Sequence, residues 1–361
     1  MKIIIVTIIL SMLLLFPTGC ASDNEGQYNR YSESIFDTFD TLIQVVVYAN
    51  DEEEFRHYFD IIHSNLQRLH KLFDIYNSYE GINNIKTIND NAGIRPVEVD
   101  QEIIDLIIFS KHWAEKTGGS VNIALGPVLE IWHYSRQEAD YDPRGAELPP
   151  MEKLEAAAQY TDLDRVIVDE EQNTVYLPEP EMSLDVGAVA KGYALELVAR
   201  EVVDEGLQSA IISAGGNIRM IGRPMDKERD LWGIGVIDPD AAVIGGSDNL
   251  LDVIYLGEGS VDTSGDYVRY FMVDGEMFHH LIDPDTLMPA THYRAVTVTA
   301  SGSGPADFMS TALFLLPFEE SLALVESLAN FEAMWVMHDG EVRTTDGMKK
   351  LLQSQGATRE E

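Results

Sequence analysis

Apolar side chains recur at Phe55, Phe59, Ile62, Leu66, Leu69 and Phe73, in steps of four and three, so residues 55–73 turn one helical face toward a core. Just upstream, residues 41–48 are β-branched and apolar, which suits a buried strand. A second helix is predicted over 101–116, stopped by Gly118-Gly119, and a third over 151–160 behind Pro149-Pro150. From residue 165 the pattern shortens to strands, expected at 165–169, 174–177 and 182–186, the last leading into a long helix that ends near Gly206. Strands follow at 209–213, 231–238 and 252–256. A hairpin comes next, over 267–273 and 277–282, joined by the tight-turn pair Asp274-Gly275. Residues 295–300 predict a strand and 305–316 a helix, and the tail adds a helix, a hairpin around Asp339-Gly340 and a short last helix. No solenoid repeat or domain-separating linker breaks the pattern. The expected class is α+β, with mixed or antiparallel sheets flanked by helices in two interleaved lobes.

The first residues obey a different rule. After Lys2, residues 3–16 are apolar except for Thr7 and Ser11, and the run closes on Pro17-Thr18-Gly19-Cys20. It is too short to cross a hydrocarbon core of about 30 Å comfortably, and small residues precede Cys20, so 1–19 reads as a signal peptide. Cys20 is the single cysteine of the chain and makes no intrachain disulfide. Its position resembles the lipobox of bacterial lipoproteins, where the thiol is lipidated and the protein stays at the extracytoplasmic face of the membrane. Pro17 stands where that motif usually has Leu, which leaves ordinary cleavage, retention as an anchor or an incidental thiol open. Residues 20–34 are polar and aperiodic, as a tether would be. The folded domain is then expected over 35–361.

Composition narrows the choice of ligands. With 45% hydrophobic residues over 361 positions the chain can bury a large core. Only 25 Lys and Arg face 61 Asp and Glu, a net charge of −36, which argues against a nucleic-acid surface. The same field repels a pyrophosphate unless a divalent cation or local amide donors offset it, so a bound metal is physically attractive.

Four segments could carry chemistry. Leu184-Asp185-Val186-Gly187-Ala188-Val189-Ala190-Lys191-Gly192-Tyr193 passes through small residues into a helix start, which suits close approach of an anion or an ordinary strand-to-helix corner. It is not a P-loop, since Lys precedes Gly and no Ser or Thr follows in place. Ser213-Ala214-Gly215-Gly216-Asn217-Ile218 fits a tight bend at least as well as a ligand. Thr263-Ser264-Gly265-Asp266-Tyr267 is followed by His279-His280-Leu281-Ile282-Asp283-Pro284. Histidine titrates near neutrality and suits proton transfer, but in a continuing strand the two rings point to opposite faces, so only one of them can serve a given pocket. In Pro305-Ala306-Asp307-Phe308-Met309-Ser310-Thr311, Asp307 and Thr311 share a helical face and offer a carboxylate and a hydroxyl to a hard cation, or simply an N-terminal charge and a buried hydroxyl.

In this order the segments resemble the FAD:protein FMN transferase family, the ApbE family, from about Phe36 to the C-terminal strands. Phe39-Asp40-Thr41, Asn77-Ser78-Tyr79 with Ile88-Asn89, and Thr117-Gly118-Gly119-Ser120-Val121-Asn122 with Gly126-Pro127 and Trp132 extend the likeness. The resemblance implies an ApbE-like, T-fold-like architecture and a Mg-dependent transfer of FMN from FAD to a Thr or Ser hydroxyl of an acceptor flavoprotein, with release of AMP. It implies a magnesium held by the Ala188 carbonyl, Asp307 and Thr311, with the Ser310 carbonyl as a further ligand. Tyr79, Ser120, Val121, Asn122, Asp185 and Lys191 would line FAD, Ser264 and Gly265 would lie near it, and His280 would be the general base. The acceptor would be a subunit of a membrane-associated redox complex or a secreted flavoprotein. Three positions depart from the family pattern. Asn122 stands where Asp is common, Asp40 where Gly is frequent, and Leu287 where the segment after Asp283-Pro284 usually has Gly. The same site could instead let water take the FMN, as an FAD pyrophosphatase, or hold FAD without turnover, as a flavin-binding lipoprotein.

Overall fold

The computed structural model describes residues 28–244 and 250–360, so the signal peptide and Cys20 lie outside the described residues. Strands β1 (Asn29–Ile35) and β2 (Ile43–Ala49) pair antiparallel. Helix α1 (Glu52–Phe73) follows, its first turn closed by the Asp51 carboxylate, which accepts the Glu54 N–H at 2.9 Å. The short α2 (Ile85–Asp90) and β3 (Val97–Glu98) lead to α3 (Gln101–Lys116), α4 (Gly126–Tyr141) and α5 (Met151–Ala158). Strands β4 (Ile167–Asp169) and β5 (Thr174–Tyr176) join β3 in a small sheet, before α6 (Ala190–Asp204). Next come β6 (Ala210–Ala214), β7 (Asn217–Ile221), β8 (Trp232–Ile237), α7 (Pro239–Ile244), β9 (Leu250–Leu256) and β10 (Gly259–Gly265). The hairpin β11 (Tyr270–Val273) and β12 (Glu276–His279) precedes β13 (Ala295–Ala300), α8 (Ser303–Leu315) and α9 (Phe318–Ser327). Strands β14 (Glu332–Val336) and β15 (Val342–Thr344) and helix α10 (Asp346–Lys349) complete the fold.

One eight-stranded sheet, in the order β1-β2-β6-β7-β10-β13-β14-β15, organises the molecule, and every neighbouring pair in it is antiparallel. Alternation along each strand sends one set of side chains to each face. Val45, Val47, Val296 and Val298 join Ile62, Leu66, Val198 and Phe308 in the main core beneath the helices. Met220, Val261 and Met334 on the opposite face meet Trp232, Ile234 and Ile254 of the β8–β9 ribbon. A third cluster joins Val128 and Trp132 of α4 to Phe271 and Ile282.

Two expectations need correcting. The tether expected over 20–34 includes most of β1, an edge strand whose register runs from Asn29 opposite Ala49 to Ile35 opposite Ile43. An edge strand keeps one side in water and needs little apolar pattern, and here Tyr31 stacks on Phe55 with ring centroids 5.2 Å apart. The strand expected at 182–186 pairs with no strand. The Asn89 side chain stands in for a neighbour, accepting the Leu184 N–H at 2.8 Å and donating to the Leu184 carbonyl at 2.9 Å, while the Asp185 N–H goes to the Ile123 carbonyl.

Candidate active site

Asp307, Ser310 and Thr311 lie on the face of α8 that meets β10. Residues 260, 262 and 264 of β10 share one face by the two-residue period. The Ser310 hydroxyl therefore donates to Asp262 at 2.6 Å and meets the Ser264 hydroxyl at 2.9 Å, and Ser264 also reaches the Thr311 hydroxyl at 3.2 Å. Asp262 was not a candidate from sequence. Its only signal is a carboxylate amid the small residues of a buried strand, and its depth became visible once β10 was found to run between β7 and β13. Asn217 sits opposite Asp262 in the β7–β10 register and accepts the Ser303 hydroxyl at 2.6 Å, so the glycine bend at 215–216 also serves this cluster.

The corner at Ala188 leads straight into α6. There the backbone N–H of Gly192 donates to Asp307 at 2.7 Å, which draws the corner and the carboxylates together. Burial raises both carboxyls, Asp262 well above the ordinary range because Asp307 lies against it, while the Lys191 ammonium opposes the rise in both. Two buried carboxylates with the hydroxyls of Ser264, Ser310 and Thr311 form an all-oxygen set, which fits a hard cation such as magnesium. Among the described residues no three His, Cys, Asp or Glu side chains gather, so hydroxyl and backbone oxygens would have to complete the ligand set beside the two carboxylates.

His279 and His280 separate as alternation requires. His279 is buried, its Nε2–H donating to the Ala290 carbonyl at 2.8 Å and its Nδ1 accepting the Leu281 N–H at 3.2 Å. Since a carbonyl only accepts, this ring is neutral with its proton on Nε2, and burial lowers it to about 4. His280 has the opposite tautomer. Its Nδ1–H faces the Arg269 carbonyl at 3.3 Å, which leaves Nε2 as a lone pair. Desolvation, with Arg269, His279, Arg136 and Lys191 nearby, lowers His280 to about 3, so it too is neutral at physiological pH.

The remaining candidates divide. The Ser120 hydroxyl is buried and has no partner within the described residues, as a ligand contact would leave it, and Val121 is buried beside it. Asn122 is committed to the fold: its carbonyl oxygen accepts the Ala124 N–H at 2.8 Å and its amide donates to the Thr161 carbonyl at 2.7 Å. Tyr79 gives its hydroxyl to Asp74 at 2.7 Å. Tyr76, rather than Tyr79, lies in the neighbourhood of Asp185, Arg136 and Arg269, its exposed ring 5.1 Å from that of His133. Asp185 accepts the Gly187 N–H at 2.8 Å, and burial raises its pKa against the pull of His133, Arg269 and Arg136. Gly265 is held tightly under the Tyr267 ring, 2.5 Å from where a Cβ would sit. Asp40 and Leu287, both at positions usually glycine in the resembled family, keep the left-handed backbone, with φ of 48° and 60°.

Known proteins share this fold. The pattern of the ApbE family matches residues 39–335. An FAD:protein FMN transferase of Treponema pallidum (strain Nichols) is 32% identical over 276 residues, 73% of each chain. One from Klebsiella pneumoniae (strain 342) is 29% identical over 282 residues, 75% of this chain and 83% of the relative. The crystal structure of an ApbE protein from Thermotoga maritima superimposes with a TM-score of 0.77 at 29% identity, over 90% of this chain and 99% of that one. A flavin transferase ApbE from Vibrio cholerae has the same fold, with a TM-score of 0.72 at 21% identity, over 90% of this chain and 100% of that one.

Proposed function

The chain belongs to the ApbE family, and from that premise we propose that it is an FAD:protein FMN transferase whose acceptor is a Thr or Ser hydroxyl of another flavoprotein. The observation that carries the mechanism is the neutral His280 ring, its Nε2 free, in the same electrostatic neighbourhood as Lys191, which also acts on Asp262 and Asp307. The acceptor hydroxyl gives its proton to Nε2 as its oxygen attacks the FMN-side phosphorus. The phosphorus–oxygen bond to AMP breaks, and AMP leaves with that electron pair.

Asp307, Thr311, Ser310 and the Ala188 carbonyl would hold magnesium, with Asp262 behind Ser310. When bound, the ion supplies Lewis-acid neutralisation of charge on the pyrophosphate. Lys191 steadies the same charge, and Ser120 offers its hydroxyl to the flavin nucleotide. A ring near 3 is a weak base, but it is depressed by burial and cations, and an arriving pyrophosphate sets negative charge against those cations and raises its basicity.

Lipidation at Cys20 would hold the enzyme at the extracytoplasmic face, where a membrane redox subunit meets it at raised effective concentration. Mass spectrometry of the protein from residue 21 with FAD, magnesium and a candidate acceptor tests the chemistry. An acceptor mass gain of one FMN with AMP released, lost in His280→Ala and Asp307→Ala, supports transfer. AMP and free FMN without labelling would instead identify an FAD pyrophosphatase, and bound, unaltered FAD a carrier.

A further inference from the structure

Beside His280 stand two arginines that the mechanism above does not use. The Arg269 carbonyl accepts the His280 N–H at 3.0 Å, so residues 269 and 280 face each other just beyond the β11–β12 ladder. Arg136 lies one turn after Trp132 on α4, and Trp132 packs on Phe271 and Phe278 of that hairpin, with centroids 6.2 and 6.5 Å apart. The indole also donates to the Leu287 carbonyl at 2.9 Å, which fixes this helix face against the hairpin. Arg136 is half-buried and held by the His133 ring nitrogen at 2.8 Å.

Neither guanidinium makes an ion pair with a carboxylate among the described residues. Asp185 acts on both through space, but its own contact is the Gly187 N–H. Each arginine acts on His280, and Arg136 is lowered first by burial and then by the like charge of Arg269. Arg269 is exposed and Arg136 half-buried, so in a chain of net charge −36 this pair of guanidiniums without a carboxylate partner is open to an anion arriving from solvent.

We propose that Arg136 and Arg269 receive the phosphate on the FMN side of FAD, as a guanidinium pair flanking the phosphorus that the acceptor attacks. The inference rests on the transferase reading. Planar forks match phosphate oxygens and gain strength as charge accumulates there, whereas Lys191 serves the metal side. A flavin without phosphate offers the pair nothing.

The test is titration of the full chain in detergent, with magnesium, by FMN and by riboflavin, read by flavin fluorescence. The unaltered protein should prefer FMN. Arg136→Gln or Arg269→Gln should each weaken FMN by about tenfold to a hundredfold, the range of a lost charge-assisted bond, and leave riboflavin unchanged. Arg→Lys variants, which keep the charge but lose the fork, should fall between. Equal weakening of both flavins would make the arginines structural, and either unchanged FMN affinity in the Gln variants or no FMN preference in the unaltered protein would overturn the proposal. No acceptor takes part, so this measurement fails independently of the transfer assay.

Discussion

Gly192 and Asp307 stand so close that a Cβ on Gly192 would lie 2.4 Å from the Asp307 Cβ and 2.5 Å from the Ser303 carbonyl oxygen. Absence of a side chain lets the first turn of α6 approach α8 and donate to the carboxylate. Gly192→Ala must therefore push the helices apart or turn Asp307 aside. Overpacking of this kind costs about 1–3 kcal/mol. Urea unfolding should show that loss, and a magnesium titration should show weaker binding; an alanine variant with unaltered stability and affinity would mean that the two helices can separate freely.

The carboxylate pair would set the response to a bound metal. Both folded-state pKa values are raised, chiefly by burial, so the native state binds more protons than the unfolded chain and loses stability as pH climbs through the raised values. At neutral pH in EDTA, Asp262→Asn should thus raise the melting temperature, because an amide can still accept from Ser310 and can donate to Asp307. Magnesium should stabilise the unaltered protein more than this variant. Scanning calorimetry with and without the metal checks both signs, and an equal magnesium shift in the two proteins would remove Asp262 from the site.

For His279 the sign is opposite. Its folded pKa of about 4 lies below the ordinary value of 6.5, so the unfolded chain binds the extra proton and stability falls as pH drops from about 6.5 toward 4. The shift corresponds to about 3 kcal/mol. His279→Gln should flatten that part of the stability–pH curve measured by denaturant unfolding, since glutamine can donate to the Ala290 carbonyl without titrating. His280→Gln should spare stability at pH 7 and abolish transfer. Reversal of the two phenotypes would exchange the roles of the rings.

Leu287 tests strain against packing. Its left-handed backbone costs about 1–2 kcal/mol that glycine would recover, but the side chain is buried with Trp132 and Ile282. Losing a buried leucine to a smaller residue costs about 2–5 kcal/mol, so Leu287→Gly should be destabilising on balance in equilibrium unfolding. A stabilised variant would show that the turn, rather than its side chain, is the costly element.

The sequence by itself determined the elements whose information is local. The four-and-three stripe over 55–73 became α1, and the predicted limits of α3 and β13 match the structure, because periodicity and glycine stops act within a few residues. Asp274-Gly275 dictated its hairpin because both positions need a positive φ, observed as 52° and 87°. The motif order indicated the family and pointed to Asp307, Thr311 and His280. Tertiary structure decided the rest. Asp262 meets Ser310 only because β10 pairs beside β7, Tyr76 meets His133 and Trp132 meets Phe271 only through tertiary packing, and segment 182–186 stays outside any sheet, where a side chain, Asn89, supplies its partner. It also determined which histidine is free: alternation says the two rings diverge, but only the carbonyls of Ala290 and Arg269, brought in from distant segments, fix the opposite tautomers and leave the His280 lone pair open.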